Sequence, residues 1–248
     1  MLNLQQAEFA YEPYPIGLIR PAFEANIYER LRSTYPGKEL FEFKPALGNK
    51  YSLSEVNNAS LYADFIRTHA AWRDFYTHVK SDEFIEQILE FMKGRHIDLG
   101  IRRYRAASRK PIGARASSLS RLLRREELSA RFEFSMMEAD GGHIKPHTDA
   151  ANKLITLVFS MTAPGEWEPS WGGGTDIVLP TDRTRIYNHV NRSIDFSDVE
   201  VLRSLPFDPN QCVIFVKTFN SWHSVSPMRG TGRAALRKTL TVNIESKI

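Results

Sequence analysis

Cysteine is almost absent from this chain of 248 residues, which contains only Cys212. A lone cysteine cannot form an internal disulfide or a thiolate metal cluster, so a disulfide framework and a Cys-based zinc site are excluded. Long apolar runs are also missing, since no stretch approaches the about 18 residues that a membrane span requires. The N-terminus lacks the basic segment, apolar run and cleavage site of a signal peptide. We therefore expect a cytoplasmic protein that does not bind membranes.

The formal net charge of +4 is small, but the positive charge is unevenly distributed. Residues 101–131 contain ten Lys or Arg and two Glu. Such a segment could hold nucleic acid or an anionic substrate, or it could be a solvated loop whose arginines pair with acidic neighbours. We favour the solvated loop, because the segment lacks the interleaved aromatic residues on which single-strand binding proteins stack bases. Nucleic acid binding through this segment remains an alternative.

Hydrophobic periodicity divides the chain into a helical first part and a β-rich second part. Apolar residues at intervals of four predict an amphipathic helix over residues 22–35 that ends at Pro36-Gly37. Ser81 is suited to cap a second helix that continues to Gly94. From residue 131 onward, five short segments are rich in Val, Ile, Thr and Phe: RFEFSMM, LITLVFSM, TDIVLP, QCVIFVK and TLTVNI. The pattern predicts an α+β protein that is mainly β, with strands in a sandwich or barrel.

With thiols excluded, a metal site would have to use histidine and carboxylate side chains. His147 and Asp149 are separated by one residue and directly precede a strongly β-prone run, so in an extended chain they would project to the same side. His223 follows a second apolar strand, and a barrel could bring it beside this pair. Two histidines and one carboxylate form the facial triad of non-heme Fe(II) oxygenases. The His-x-Asp triplet alone is a weak signal, and its strand context gives it weight.

Six segments occur in a characteristic order along residues 131–246: GGHIKPHTD, KLITLVFSM, EWEPSWGGGTDIVLP, QCVIFVK, SWHSVSPM and RKTLTVNI. This series resembles the Fe(II)/2-oxoglutarate-dependent dioxygenases, particularly the branch that looks like prolyl hydroxylases. The resemblance implies a double-stranded β-helix, a cupin-like jelly roll, over residues 131–248. Residues 1–130 would supply mostly helical support and the substrate side. The whole chain, 1–248, would be a single oxygenase domain.

The resemblance also implies the metal ligands and the cosubstrates. His147, Asp149 and His223 would bind Fe(II), and 2-oxoglutarate and dioxygen (O2) would be consumed. Halogenating relatives have a small residue in place of the carboxylate, so the presence of Asp149 favours hydroxylation. Members of the family pair the distal carboxylate of 2-oxoglutarate with a basic residue that follows the second histidine.

Two arginines could be this cosubstrate anchor. Arg237 lies fourteen residues after His223 and is followed by Thr239, which matches an Arg-x-Ser/Thr pattern at the start of a strand. Arg233 lies ten residues after His223 but lacks the Ser or Thr. We favour Arg237, because a guanidinium offers a planar fork to a carboxylate and keeps its charge when desolvated. Arg233 could instead hold an anionic substrate.

Three functions are therefore considered. The first is an Fe(II)- and 2-oxoglutarate-dependent dioxygenase that hydroxylates an unactivated C–H bond of a small molecule, an amino acid or a polypeptide side chain. The second is a nucleic-acid-directed oxygenase that uses the basic segment 101–131. The third is a non-catalytic metal-binding β-barrel sensor, which would have a saturated coordination sphere.

Overall fold

Four α-helices lie in the N-terminal part of the described chain. The computed structural model describes residues 2–101, 104–106, 126–232 and 234–247. The helices are α1 (Ala25–Ser33), α2 (Ala59–Thr68), α3 (Ala70–Val79) and α4 (Asp82–Gly94). Within the described ranges, no helix is both long enough and apolar enough to cross a membrane.

Thirteen strands in the same ranges form two sheets. They are β1 (Ala7–Ala10), β2 (Ile16–Ile19), β3 (Glu42–Lys44), β4 (Lys50–Ser54), β5 (Tyr104–Ala106), β6 (Glu126–Glu138), β7 (Ile144–His147), β8 (Lys153–Ser160), β9 (Thr175–Pro180), β10 (Val199–Leu205), β11 (Cys212–Val216), β12 (His223–Val225) and β13 (Leu236–Lys247). The large sheet has the order β1-β2-β11-β8-β13-β6-β4-β3, with β5 added parallel to β6. The small sheet has the order β10-β9-β12-β7, and its strands pair antiparallel.

The large sheet has one apolar face and one polar face, because successive side chains of a strand point to opposite sides. In β13, the alternate residues Leu240, Val242 and Ile244 belong to the main hydrophobic core. The intervening Thr239 and Thr241 line a cavity between the sheets. The large sheet therefore packs its apolar face against the helices and turns a polar face toward the small sheet.

Aromatic packing joins the helices to the apolar face of the large sheet. The Phe134 ring of β6 lies 4.8 Å from the Trp72 ring of α3 and 5.6 Å from the Phe65 ring of α2, measured between centroids. Phe132 and Phe134 also contact each other at 5.2 Å. Edge-to-face contacts of this kind add to the burial of apolar area that fixes the helices on the sheet.

A second apolar cluster lies between the two sheets. Ile16 of β2 and Phe215 of β11 contact Ile177 of β9 and Leu205 of β10. This cluster closes one region of the space between the sheets, and the polar residues of β6, β8 and β13 surround the remainder. Two facing antiparallel sheets with helices on the outer face confirm the mainly β, α+β prediction and the jelly-roll core.

Helix α1 is shorter than the predicted helix over residues 22–35. Its N-terminal neighbour Glu24 is extended, with φ −57° and ψ 145°. Phe23 is held by the side chain of Asn210, which accepts from Phe23 N at 2.9 Å and donates to Phe23 O at 2.8 Å. These two tertiary hydrogen bonds keep Phe23 out of the helix. The periodicity could not indicate them, because Asn210 lies far away along the chain.

The N-terminal part contributes strands as well as helices, since β1, β2, β3 and β4 extend both ends of the large sheet. The expectation of mostly helical support was therefore incomplete. Two sequence features lie outside the described residues: Arg233, and positions 102–103 and 107–125 of the basic segment. The division into one domain stays a prediction.

Candidate active site

Two histidines face each other where β7 and β12 of the small sheet pair. His147 and His223 are directly opposite in the antiparallel register, and their ring centroids are 4.3 Å apart. Each Nδ1 lies 2.9 Å from a backbone carbonyl two residues earlier, at Lys145 O and Ser221 O respectively. A carbonyl oxygen only accepts, so each Nδ1 carries the proton and each Nε2 is left with a lone pair. Both rings are thus oriented as metal-binding imidazoles usually are.

Asp149 completes the cluster, but its backbone conformation differs from the extended one that was predicted. Strand β7 ends at His147, and Asp149 lies beyond it with φ +71°, in the left-handed region. The period-two argument was therefore wrong in its geometry, although the two side chains do meet. Asp149 Oδ1 lies 3.4 Å from His147 Nε2, and Asp149 Oδ2 lies 3.9 Å from His223 Nε2. One nitrogen or oxygen atom from each of the three side chains lies within 4.8 Å of the other two.

Two residues of β8 fix the Asp149 carboxylate. Lys153 Nζ donates to Oδ1 at 2.8 Å, and Thr156 Oγ1 lies 3.2 Å from Oδ2. Burial would raise the pKa of this carboxyl, but Lys153 and the two imidazoles hold the pKa of Asp149 well below its usual value. Burial, together with His147, lowers the pKa of His223 to about 3. At neutral pH the cluster therefore offers a carboxylate and a neutral His223 imidazole, the protonation states that a metal ion needs.

The three side chains open into a cavity between the sheets that also contains Arg237 and Thr239. Arg237 is the second residue of β13 and is only 4% exposed. Its Nε donates to Gly173 O at 2.5 Å, and its guanidinium lies 4.6 Å from the centre of the Phe207 ring. Burial lowers the pKa of Arg237 to about 10, so the side chain stays charged at neutral pH.

Arg237 has no carboxylate within 4.0 Å among the residues that the structure describes. A buried charge without a counter-ion is unfavourable, and its usual remedy is a paired anion. The position of Arg237 in the cavity therefore points to an anionic ligand. Arg233, the competing candidate, cannot be compared because it lies outside the described chain.

Gly173 was interpreted from the sequence only as part of a turn, yet it fixes Arg237. Its φ of +83° is in the left-handed region, and a Cβ there would lie 2.8 Å from the Trp167 ring and 3.3 Å from Arg237 Cδ. A side chain at this position would thus disturb both neighbours. Three consecutive glycines before a strand were the signal that could have indicated a close backbone approach.

The sequence also provided no indication of four further residues that line the same cavity: Lys50, Lys153, Thr156 and Ser224. They are inward-facing or strand-end residues whose roles depend on tertiary pairing, so no local motif marks them. His143, by contrast, lies outside the His147-Asp149-His223 cluster. Its Nδ1 lies 2.9 Å from Gly141 O, and its ring contacts Phe196.

The sequence model of the 2OG-Fe(II) oxygenase superfamily matches residues 132–245. This range includes the four candidate residues described above: His147, Asp149, His223 and Arg237. This part of the chain is therefore similar in sequence to that superfamily. No curated protein matches the chain in sequence.

Solved structures support the shared fold of the superfamily. A prolyl-4-hydroxylase from Pseudomonas putida is 11% identical, with a TM-score of 0.53, and the match covers 94% of this chain and 92% of that protein. SnoK, a non-heme alpha-ketoglutarate-dependent carbocyclase from nogalamycin biosynthesis, is also 11% identical, with a TM-score of 0.50. That match covers 93% of this chain and 79% of the carbocyclase.

Superfamily members use Fe(II), 2-oxoglutarate and dioxygen, and the residues present fit these cofactors. Two imidazole nitrogens and a carboxylate are a donor set suited to Fe(II), and three protein ligands leave positions for other groups. The unpaired Arg237 matches a dicarboxylate in the same cavity. The chain is thus a 2-oxoglutarate-dependent oxygenase, and the alternative of a non-catalytic sensor loses its support.

Proposed function

We propose that this oxygenase is a hydroxylase that acts on an unactivated C–H bond of a small molecule, an amino acid or a polypeptide side chain. Succinate and carbon dioxide would be the coproducts. The observation that carries this proposal is the common cavity, in which a buried arginine that has no carboxylate partner in the described part of the chain lies with a His-Asp-His cluster. A metal site alone would not require that arginine, whereas a dicarboxylate cosubstrate does.

In this proposal His147, Asp149 and His223 hold the iron. Iron with 2-oxoglutarate and dioxygen supplies the oxidising power, and the protein supplies position and protection from water. The Nδ1 hydrogen bonds of the two histidines keep both Nε2 atoms directed at the metal position. Thr156 and Lys153 hold the Asp149 carboxylate beside them. Retention of this carboxylate favours hydroxylation over halogenation.

Arg237 and Thr239 would bind the distal carboxylate of 2-oxoglutarate. The hydrogen bond from Nε to Gly173 O fixes the plane of the guanidinium, and the remaining N–H groups are available to a carboxylate. Thr239, which is 3% exposed and lines the same cavity, would donate from its hydroxyl. The fixed position of the guanidinium reduces the entropy lost on binding.

The substrate class is supported only in outline. The Pseudomonas protein is named for prolyl residues and the carbocyclase for nogalamycin biosynthesis, so a peptidyl and a small-molecule substrate both suit the fold. The nucleic-acid alternative depends on the basic segment, most of which lies outside the described residues, and it stays a prediction. A cytoplasmic location also stays a prediction.

The two arginine candidates can be separated by mutation. We expect Arg237→Ala to raise the Kd for 2-oxoglutarate by about 10- to 100-fold, because a hydrogen bond to a charged group contributes about 1.5–3 kcal/mol. Arg233→Ala, the matched control, should leave this Kd within about twofold. The measurement is anaerobic 2-oxoglutarate binding to the Fe(II)-loaded protein, together with succinate formation in air. A larger effect of Arg233→Ala than of Arg237→Ala would contradict the assignment.

A further inference from the structure

A second cavity adjoins the proposed metal site on the polar face of the large sheet. It has a volume of about 300 Å³, and its lining includes the cationic residues Lys44, Lys50, Arg131 and Lys153. Lys50, Lys153 and Thr241 line both cavities, so the two are direct neighbours. The second cavity, which we call the oxyanion cavity, thus lies beside the proposed metal site.

The cations of the oxyanion cavity outnumber the carboxylates that face it. Glu133, with a side chain 8% exposed, is shared by two cations: Lys50 Nζ and Arg131 Nη2 each lie 2.6 Å from one of its oxygens. Glu245 lies 3.9 Å from Arg131 Nη1, at the limit of an ion pair. Arg131 Nε is buried and has no hydrogen-bond partner among the described residues. Glu133 is thus shared between two cations, Arg131 has a more distant second carboxylate in Glu245, and the buried Nε donor of Arg131 is left unused.

Lys153 contributes an excess positive charge once the proposed metal site is filled. Its only carboxylate contact among the described residues is Asp149, at 2.8 Å. If Asp149 is a ligand of a divalent ion, its negative charge is committed to that ion. Lys44, in contrast, is neutralised by Glu42 at 2.5 Å. With the metal site filled, Lys153 is therefore the cation without a carboxylate of its own among the described residues, and Arg131 keeps an unused donor.

We propose that the oxyanion cavity binds a carboxylate or phosphate group of a small-molecule substrate. This inference rests on the proposed function and narrows its substrate class to an anion. An oxyanion would accept from the unused Arg131 Nε–H and from Lys50 or Lys153, and it would balance the excess charge. The volume lies at the lower end of the about 300–1,000 Å³ typical of ligand pockets, which favours a small molecule over a polymer.

The cavity also provides polar groups that a small substrate can use beyond its charged group. Ser52, Asn57 and Asn243 contribute hydroxyl and amide groups to the lining. Asn243 Oδ1 lies 2.9 Å from Thr156 Oγ1, the same hydroxyl that lies beside Asp149. A substrate held at the Arg131 end would therefore extend along polar residues toward the metal ligands.

The test is anion binding to the Mn(II)-loaded protein in the presence of 2-oxoglutarate at about ten times its Kd. The probes are inorganic phosphate, acetate and acetamide, which is the neutral isostere of acetate. Their binding is measured at constant ionic strength from the paramagnetic broadening of their NMR signals. We expect phosphate or acetate to bind and acetamide not to bind, and the tighter anion identifies the natural group.

Arg131→Gln should raise the Kd for the bound anion by about tenfold, as expected for loss of a hydrogen bond to a charged group. Arg131→Lys should recover part of the affinity. The matched control is Arg67→Gln on α2, whose side chain is 72% exposed and lies outside both cavities. The control should change the Kd by less than about twofold. If Arg131→Gln does not fold, Lys50→Gln tests the same prediction from the other side of Glu133.

The inference is overturned if neither anion binds, if acetamide binds as well as acetate, or if Arg131→Gln leaves the Kd unchanged. Displacement of the anion by further 2-oxoglutarate would assign it to the Arg237 position and also overturn the inference. A single-stranded oligonucleotide could also bind more tightly than phosphate and lose this binding in Arg131→Gln. That result would overturn the small-molecule proposal in favour of a nucleic acid ligand. Binding of 2-oxoglutarate is measured first, so a failure of the proposed function is recognised separately.

Discussion

At the scale of single residues, the functional chemistry comes from inward-facing polar positions of otherwise apolar strands. Strand β6 shows the pattern: Phe132 and Phe134 pack against the helices, while Glu133 and Ser135 face the space between the sheets. A polar residue at such a position needs partners, because it is removed from water. Glu133 finds them in Lys50 and Arg131, and Arg237 lacks a carboxylate partner among the described residues.

Glu133 allows a prediction about pH and stability. Burial would raise the pKa of Glu133, but Lys50 and Arg131 outweigh it and lower the pKa to about 2, against an ordinary value of 4.5. Its contribution to stability is therefore complete above pH 4.5 and is lost as the pH falls through 2. The difference in pKa corresponds to about 3 kcal/mol. Glu133→Gln should lower the free energy of unfolding at pH 7 by about this amount.

The gap in free energy of unfolding between wild type and Glu133→Gln should narrow steadily from pH 5 to pH 2.5 in urea titrations. Protonated glutamate and glutamine have similar shapes, which is why the two proteins should converge. Glu90→Gln is the control, since the Glu90 side chain on α4 is exposed and lies 3.7 Å from Lys93. That control should follow the wild type throughout. A gap that stays constant with pH would mean that Glu133 does not act through its charge.

At the scale of secondary structure elements, the sequence indicated several strongly patterned ones but did not indicate α2, α3 or β10. TDIVLP corresponds to β9, and the predicted strand QCVIFVK contains β11. The short strands β7 and β12 were not predicted, although they carry His147 and His223. Three or four residues are too few for a period to be recognised. Their strand geometry comes from pairing with each other across the small sheet.

Helix α4 was predicted from a cap and an apolar period, and its N-terminus can be tested. The Ser81 hydroxyl accepts from Phe84 N at 3.2 Å, as expected of an N-cap. We expect Ser81→Ala to lower the free energy of unfolding by about 1 kcal/mol, because one backbone donor loses its partner. Ser81→Asp, which can also cap, should stay close to the wild type in urea unfolding. Equal losses in both variants would exclude capping as the cause.

At the scale of the whole molecule, the site exists only because distant segments meet. His147 and His223 are 76 positions apart in the sequence (223 − 147) and are opposed by strand register. Arg237 enters the same cavity from the large sheet, held by Gly173 of the loop before β9. The sequence predicted the residue types of the metal-binding cluster and their order, and its preference for Arg237 over Arg233 stays a prediction. It could not indicate Gly173 or the Lys153 contact, which depend on how the two sheets face each other.

The central claim is that this assembled cavity holds Fe(II) and 2-oxoglutarate together. Its most direct test is the visible absorption spectrum after anaerobic addition of Fe(II) and 2-oxoglutarate. We predict a charge-transfer band in the wild type, because the cosubstrate would be bound to the metal, and no band in His147→Ala. Correct folding is checked by circular dichroism, and metal content is measured separately. Folded, iron-loaded wild-type protein that shows no band, or a His147→Ala variant with an undiminished band, would contradict the account.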